Sequence, residues 1–169
     1  MRGNNKKGVA VFIAVIAVSA LLLIALAISD ISYKEQIISS SGRDSRIAFY
    51  AADAGVECAF FHDLKGGADG LFKFSVPGAV QVGVLKCNGD DIITNIRGND
   101  PVITTFYFNL SNLPKSCAIV QVSKETVAEG GFKTIIESRG YNNNCASGPT
   151  GPTIESGPRN LERSFEVTY

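Results

Sequence analysis

Hydrophobic and polar positions fall into three regimes along the chain. Residues 9 to 28 (VAVFIAVIAVSALLLIALAI) form an apolar run interrupted only by Ser19. Twenty residues at the helical rise make about 30 Å of helix, the thickness of a bilayer's hydrocarbon core. Past this run no proline occurs through Leu64, and Ile28, Ile31, Ile38, Ile47, Tyr50, Ala51, Ala54, Cys58 and Phe61 recur largely three and four apart. Lys34, Glu35, Arg43, Asp44, Arg46, Asp53 and Glu57 take the opposite face. The pattern predicts one helix from Val9 to Leu64, apolar all round at first and amphipathic later, roughly 84 Å long if unbroken. Its weak link is Ser39-Ser40-Ser41-Gly42, where a kink or local melting is expected because serine and glycine are poor helix formers.

From residue 66 the helical period disappears. Most of the glycines and all six prolines lie here, beginning with Gly66-Gly67-Ala68-Asp69-Gly70. Short runs read as strands: Leu71–Val76, Ala79–Cys87, Val102–Leu110, Ser116–Ser123, Lys133–Ser138 and Ser164–Tyr169. Pro77-Gly78, Asn88-Gly89, Asn99-Asp100-Pro101 and Gly130-Gly131 punctuate them as turns. Hairpin-type turns at regular spacing predict an antiparallel sheet, with the stripe from Ile47 to Phe61 covering one face. The expected fold class is α+β, a long N-terminal helix packed on a C-terminal antiparallel sheet. Residues 142 to 160 (NNNCASGPTGPTIESGPRN) are polar and turn-rich, and are expected to form a long exposed loop between the last two strands.

Charge changes the picture once it is read by segment. The 16 basic and 16 acidic residues cancel, but Arg2, Lys6 and Lys7 stand ahead of the apolar run with no acid among them. A +3 head thus precedes the bar, and a −3 remainder follows it. The head marks the cytoplasmic end of a membrane helix by the positive-inside bias, placing the rest of the chain outside the membrane. No basic footprint supports nucleic-acid binding through bulk charge. A hydrophobic content of 45% excludes a disordered chain, and the length suits one modest domain. A cleaved secretory signal is the competing reading, with Ala25-Leu26-Ala27 as its small-x-small triplet. The apolar run exceeds the usual h-region, and no helix breaker follows it.

The segment KKG followed by the apolar helix resembles the leader of type IV prepilins. The resemblance implies that a prepilin peptidase cuts after Gly8 and leaves Val9 as the new N-terminus. The stretch SGRDSRIAFYAADAGVECAF, with its small-residue core Ala51 to Gly55, resembles PilX-type minor pilins and pseudopilins, and IIESRGYNNNC…PRNLERSFEVTY is similar to their last strand pair. In that family the apolar helix, here carrying Ala10, Phe12, Ile13, Ala14, Ala17 and Leu21, first anchors the subunit in membrane lipid and later packs in a filament core. The partners implied are other pilin subunits, the prepilin peptidase and an inner-membrane assembly platform, with the protein at the cell surface after assembly. Bulk subunits of the family carry a glutamate at the position held here by Ile13, which points to a minor rather than a major subunit. Glu162 and Arg163, placed by the same resemblance on the last strand, are expected to form a salt bridge to the helix.

Four cysteines, Cys58, Cys87, Cys117 and Cys145, all follow the apolar run, so two disulfides are expected outside the membrane. Three pairings are possible. Chain order suggests Cys58–Cys87, tying the helix to the second expected strand, and Cys117–Cys145, tying a central strand to the long loop. No pair has CxxC spacing, so neither a zinc site nor a thioredoxin-like site is expected. His62, the single histidine, is expected to be structural or solvated at a helix end. Asn88-Gly89-Asp90-Asp91 lacks the spaced acids of a calcium loop and reads as a plain turn. Asn109-Leu110-Ser111 matches a glycosylation sequon at the end of an expected strand. No catalytic motif surrounds any serine, and no cofactor is expected. The leading expectation is a structural filament subunit rather than an enzyme. The alternative is a single-pass anchored or secreted extracytoplasmic domain that binds a ligand without entering a filament.

Overall fold

In the computed structural model, residues 5–65, 82–98, 101–112, 115–128, 131–148, 151–157 and 159–169 are described. The expected strand Leu71–Val76, the glycine-rich exit at 66–70 and the first half of the basic head lie outside them. Two compact units divide the chain, Met1–Gly42 and Arg43–Tyr169.

Helix α1 takes in every residue from Asn5 to Lys65. In the first unit the side chains from residue 8 to residue 39 are all exposed, apolar ones included. This stretch contains the one helical segment among the described residues that is long and apolar enough to cross a membrane. The expected melting at Ser39–Gly42 does not occur. Ser40 Oγ donates to the Ile37 carbonyl at 2.9 Å, so its hydroxyl bonds back to the preceding turn instead of competing for the local backbone.

In the second unit, strands β1 (Val82–Cys87), β2 (Asp90–Arg97), β3 (Val102–Asn109), β4 (Cys117–Val127), β5 (Gly131–Tyr141) and β8 (Glu162–Thr168) form a sheet in the order β1-β2-β3-β4-β5-β8. Every neighbouring pair is antiparallel. Asn88 and Gly89 turn β1 into β2 with φ of 55° and 89°, the double left-handed geometry that Asn-Gly accepts readily and that matches strand twist. Strand β2 lies outside the expected strands, because its acidic start, Asp90-Asp91, matches a turn. Its Ile92, Thr94 and Ile96 are nevertheless buried in strict alternation with exposed neighbours, the period-two pattern of a half-buried strand.

The α1 stretch within this unit covers the sheet with part of the expected stripe, Ala51 being buried and Ala54 and Cys58 packed against the core, but the contact is centred on smaller residues. Tyr50 and Phe61 remain exposed, while Ala48, Ala51, Ala52, Gly55 and Ala59 are buried. Their spacing of three and four makes one stripe of very small residues, which brings helix backbone down onto the strands. A Cβ added at Gly140 of β5 would meet the Ala48 carbonyl oxygen and the Ala52 nitrogen, with the Ala51 carbonyl carbon at 2.9 Å. A Cβ at Gly55 would meet Ser138 Oγ, with Val120 Cγ2 at 2.8 Å. The large apolar side chains of this core come instead from the strands: Leu85, Ile92, Phe106, Phe108, Val120, Val122 and Ile136.

The stretch expected as one long loop carries structure of its own. β6 (Cys145–Gly148) and β7 (Gly151–Ile154) pair as a separate two-stranded sheet. Cys145 and Ile154 of this hairpin pack with Cys117, Tyr141, Tyr107 and Ile119 in a second, smaller apolar cluster. In β4, Ala118, Val120 and Val122 belong to the first cluster while Cys117 and Ile119 belong to the second. Strand alternation therefore places the two clusters on opposite faces of the sheet.

Candidate functional site

Two surfaces carry the residues with functional promise, one in each unit. In the first, Gly8, Val9, Ala10, Phe12, Ile13, Ala14, Ala17 and Leu21 all lie on α1 and are all exposed. Ala10, Ala14, Ala17 and Leu21 are spaced by four, three and four, so they line one face. A shallow furrow beside it is lined by Val11, Ala14, Val15, Val18, Ser19 and Leu22. Ser19, the single polar residue of the run, donates to the Ile16 carbonyl at 2.9 Å and so presents no free hydroxyl hydrogen to an apolar surround. Ile13 continues this apolar surface.

The second surface is the corner where α1 meets β1. Cys58 is joined to Cys87 with their Cα atoms 5.8 Å apart, which ties the helix to the sheet's edge strand. Cys117 is joined to Cys145 with Cα atoms 5.6 Å apart, which ties β4 to the hairpin. Both agree with the pairing suggested by chain order. Beside the first disulfide, His62 Nε2 donates to the Lys86 carbonyl at 2.9 Å. A carbonyl can only accept, so this ring nitrogen carries the hydrogen. His62 is thus a link between helix and strand as well as a basic group in the last helical turn beside Lys65, whose ammonium lies 4.6 Å from the Phe61 ring centroid. A groove of about 350 Å³ opens here, lined among others by Glu57, Cys58, Phe61, His62, Cys87 and Leu110.

Chain order pairs Cys58 with Cys87 but leaves His62 apart; its position four residues after Cys58 on the helix is the sequence signal that links it to them. One sulfur from each cysteine and one ring nitrogen of His62 lie within 4.8 Å of one another.

Other candidates resolve into structural roles. Asn109 Nδ2 donates to the Cys145 carbonyl at 3.2 Å, and the Cys145 amide donates to Asn109 Oδ1 at 2.8 Å. The sequon asparagine is therefore committed on both sides to holding the hairpin. Asp91 pairs with Lys86 across the β1–β2 turn at 3.4 Å, in keeping with a plain turn. Among the described residues Arg163 forms no salt bridge to the helix; its Nε and Nη2 donate to Ser45 Oγ at 3.0 and 2.9 Å. The helix-to-sheet ion pair is Lys124–Asp63, with side chains only 17% and 6% exposed. Tyr169 completes it by donating its hydroxyl to Asp63 Oδ2 at 2.7 Å. Burial and that carboxylate both raise the Tyr169 pKa. Burial first, then the nearby Glu162 carboxylate, push Tyr141 up to about 12.

No protein-family model matches the chain, and no curated protein or solved structure is significantly similar to it. The pilin-like character of the architecture therefore rests on the molecule itself: a long apolar N-terminal helix whose continuation packs on an antiparallel sheet.

Proposed function

We propose that the protein is a structural subunit, a minor pilin or pseudopilin, of a type IV pilus or a related type II secretion filament. The observation that carries this reading is the apolar surface from residue 8 to residue 28, broken only by Ser19 and wholly exposed, ahead of a sheet unit with its own core. Each Val, Leu, Ile or Phe left in water would forgo about 1.5–3 kcal/mol of burial, so this surface needs lipid or other apolar helices around it. Moving it from lipid into a bundle of like helices leaves the hydrophobic term nearly unchanged, and close packing then decides the outcome. Ala10, Ala14 and Ala17 on one face permit that approach.

In this reading prepilin peptidase cuts between Gly8 and Val9, the helix resides in the inner membrane until the assembly platform extracts it, and other pilin subunits replace the lipid. Ile13 spares the membrane span an acidic side chain, a group that is expensive in lipid without a partner, at the loss of a charged contact to a neighbour. This favours a minor subunit over the bulk one. The sheet unit is held rigid by two disulfides, as suits a part that serves outside the membrane. The role is one of assembly, not of catalysis.

The mature N-terminus tests the reading. Intact mass and N-terminal sequencing of the protein from its native cell are expected to give a chain beginning at Val9. A chain beginning at Ile28 would mean secretion through an ordinary signal, and an intact Met1 would mean simple membrane anchorage.

A further inference from the structure

Cys58, His62 and Cys87 form a group whose chemistry the disulfide alone does not exhaust. Two sulfurs and an imidazole within 4.8 Å of one another are a donor set that zinc takes in three-ligand sites whose fourth position is left to water. The ring of His62 is already oriented by its hydrogen bond to the Lys86 carbonyl, the kind of support that fixes ligating histidines and tunes their basicity. The Cα atoms of the two cysteines are 5.8 Å apart. Zinc–sulfur bonds of about 2.3 Å in a tetrahedron would hold the sulfurs roughly 3.8 Å apart, a separation that side-chain rotation can reach. The adjoining groove leaves a fourth position open to water, with Glu57 on its wall.

We propose that this corner is a redox-gated site for a thiophilic divalent cation of the zinc class. While Cys58 and Cys87 are joined, the site is closed. A dithiol reductant opens it: the protein S–S bond breaks, two electrons and two protons pass to the two sulfurs, and the dithiol becomes its own disulfide. Zinc then displaces one proton from each thiol and binds both thiolates together with His62. The helix stays tied to the edge strand in either state, by a covalent bond when oxidised and by the metal when reduced. The second disulfide cannot do the same, because His62 is the single histidine and it stands beside Cys58 and Cys87. The inference is independent of the filament reading.

The test is Co2+ titration of the full chain in detergent, before and after reduction, with Zn2+ as competitor. The reduced protein is expected to bind one Co2+ with thiolate charge-transfer absorption and tetrahedral ligand-field bands, both lost on adding Zn2+. The oxidised protein is expected to show neither. His62→Ala retains both cysteines and should still fold and form its disulfides; it is expected to weaken binding at least about tenfold and to change the ligand-field bands. Cys58→Ser is expected to abolish the charge-transfer band, whereas the Cys117→Ser/Cys145→Ser double variant should retain it. Overturning results are a reduced chain that binds no Co2+, a spectrum and affinity unchanged in His62→Ala, or a signal that disappears with Cys117 and Cys145 instead.

Discussion

Gly140→Ala is the sharpest probe of how helix and sheet meet in the second unit. The added methyl would meet the Ala48 carbonyl oxygen, the Ala52 nitrogen and, at 2.9 Å, the Ala51 carbonyl carbon. All three are helix backbone, which cannot move aside as a side-chain end can. Overpacking of this kind costs about 1–3 kcal/mol, and backbone obstacles put it near the upper end. Replacing glycine within a strand returns about 0.5–1 kcal/mol of chain entropy. The net loss is therefore about 2 kcal/mol, or roughly 4–8 °C in Tm for a chain of this size. Gly55→Ala meets side-chain atoms instead, Ser138 Oγ, Val120 Cγ2 at 2.8 Å and Ala118 Cβ at 3.1 Å. It also regains about 1 kcal/mol of helix propensity, so its net cost should be at most about 1 kcal/mol. Gly131 has open space around it, and Gly131→Ala should stay within about 0.5 kcal/mol of the parent. Near-UV circular dichroism of the five tyrosines, followed through a thermal melt of the full chain in detergent, reads all three. A Gly140→Ala melt indistinguishable from that of Gly131→Ala would refute the close approach.

Three further perturbations separate the other supports of the fold. Non-reducing peptide mapping should recover Cys58 linked to Cys87 and Cys117 linked to Cys145; a Cys58–Cys117 peptide would contradict the architecture. The Cys58→Ser/Cys87→Ser variant should lose about 3.6 kcal/mol in denaturant titration, the chain-entropy value for a 29-residue separation. Lys124→Met leaves Asp63 nearly buried and without its cation, and should cost about 3–5 kcal/mol. Adding Asp63→Leu should restore most of that, and a double variant no better than the single would show that the pair is not desolvated. Tyr141 and Tyr169 both have raised pKa values in the folded protein, so folding favours their protonated forms. The stability they lend is fully present below about pH 10, the unfolded value, and is lost as pH rises toward and beyond 12. Tyrosinate absorbance against pH, compared in Tyr141→Phe, reads this directly; a Tyr141 that ionises near pH 10 in the folded chain would contradict it.

The parts of the fold that were legible in the sequence are those set by local pattern. The apolar run, the three-and-four spacing beyond it and the Asn88-Gly89 turn each depend on neighbours a few residues away. The buried stripe was harder to see because it is built of Ala48, Ala51, Ala52, Gly55 and Ala59. Large apolar side chains advertise a core face, yet here Tyr50 and Phe61 sit exposed while the smallest residues carry the contact. That choice is fixed by the partner surface at Gly140, about ninety residues away, and no local period reveals it. Strand β2 was hidden by Asp90 and Asp91, although Ile92, Thr94 and Ile96 kept strand alternation. The hairpin within residues 142–160 was hidden by Gly and Pro, because Asn109 and Cys117 hold it from elsewhere in the chain. The Cys58–His62–Cys87 corner likewise joins a helix face to a strand end.

In the proposed function the apolar helix serves in a filament as well as in a membrane. Shearing surface filaments from the native cell and sequencing the N-terminus of this protein in the sheared and membrane fractions tests it most directly. The expected result is the protein in the sheared fraction, beginning at Val9. A protein confined to the membrane with Met1 intact, or released as a free chain beginning at Ile28, would contradict it.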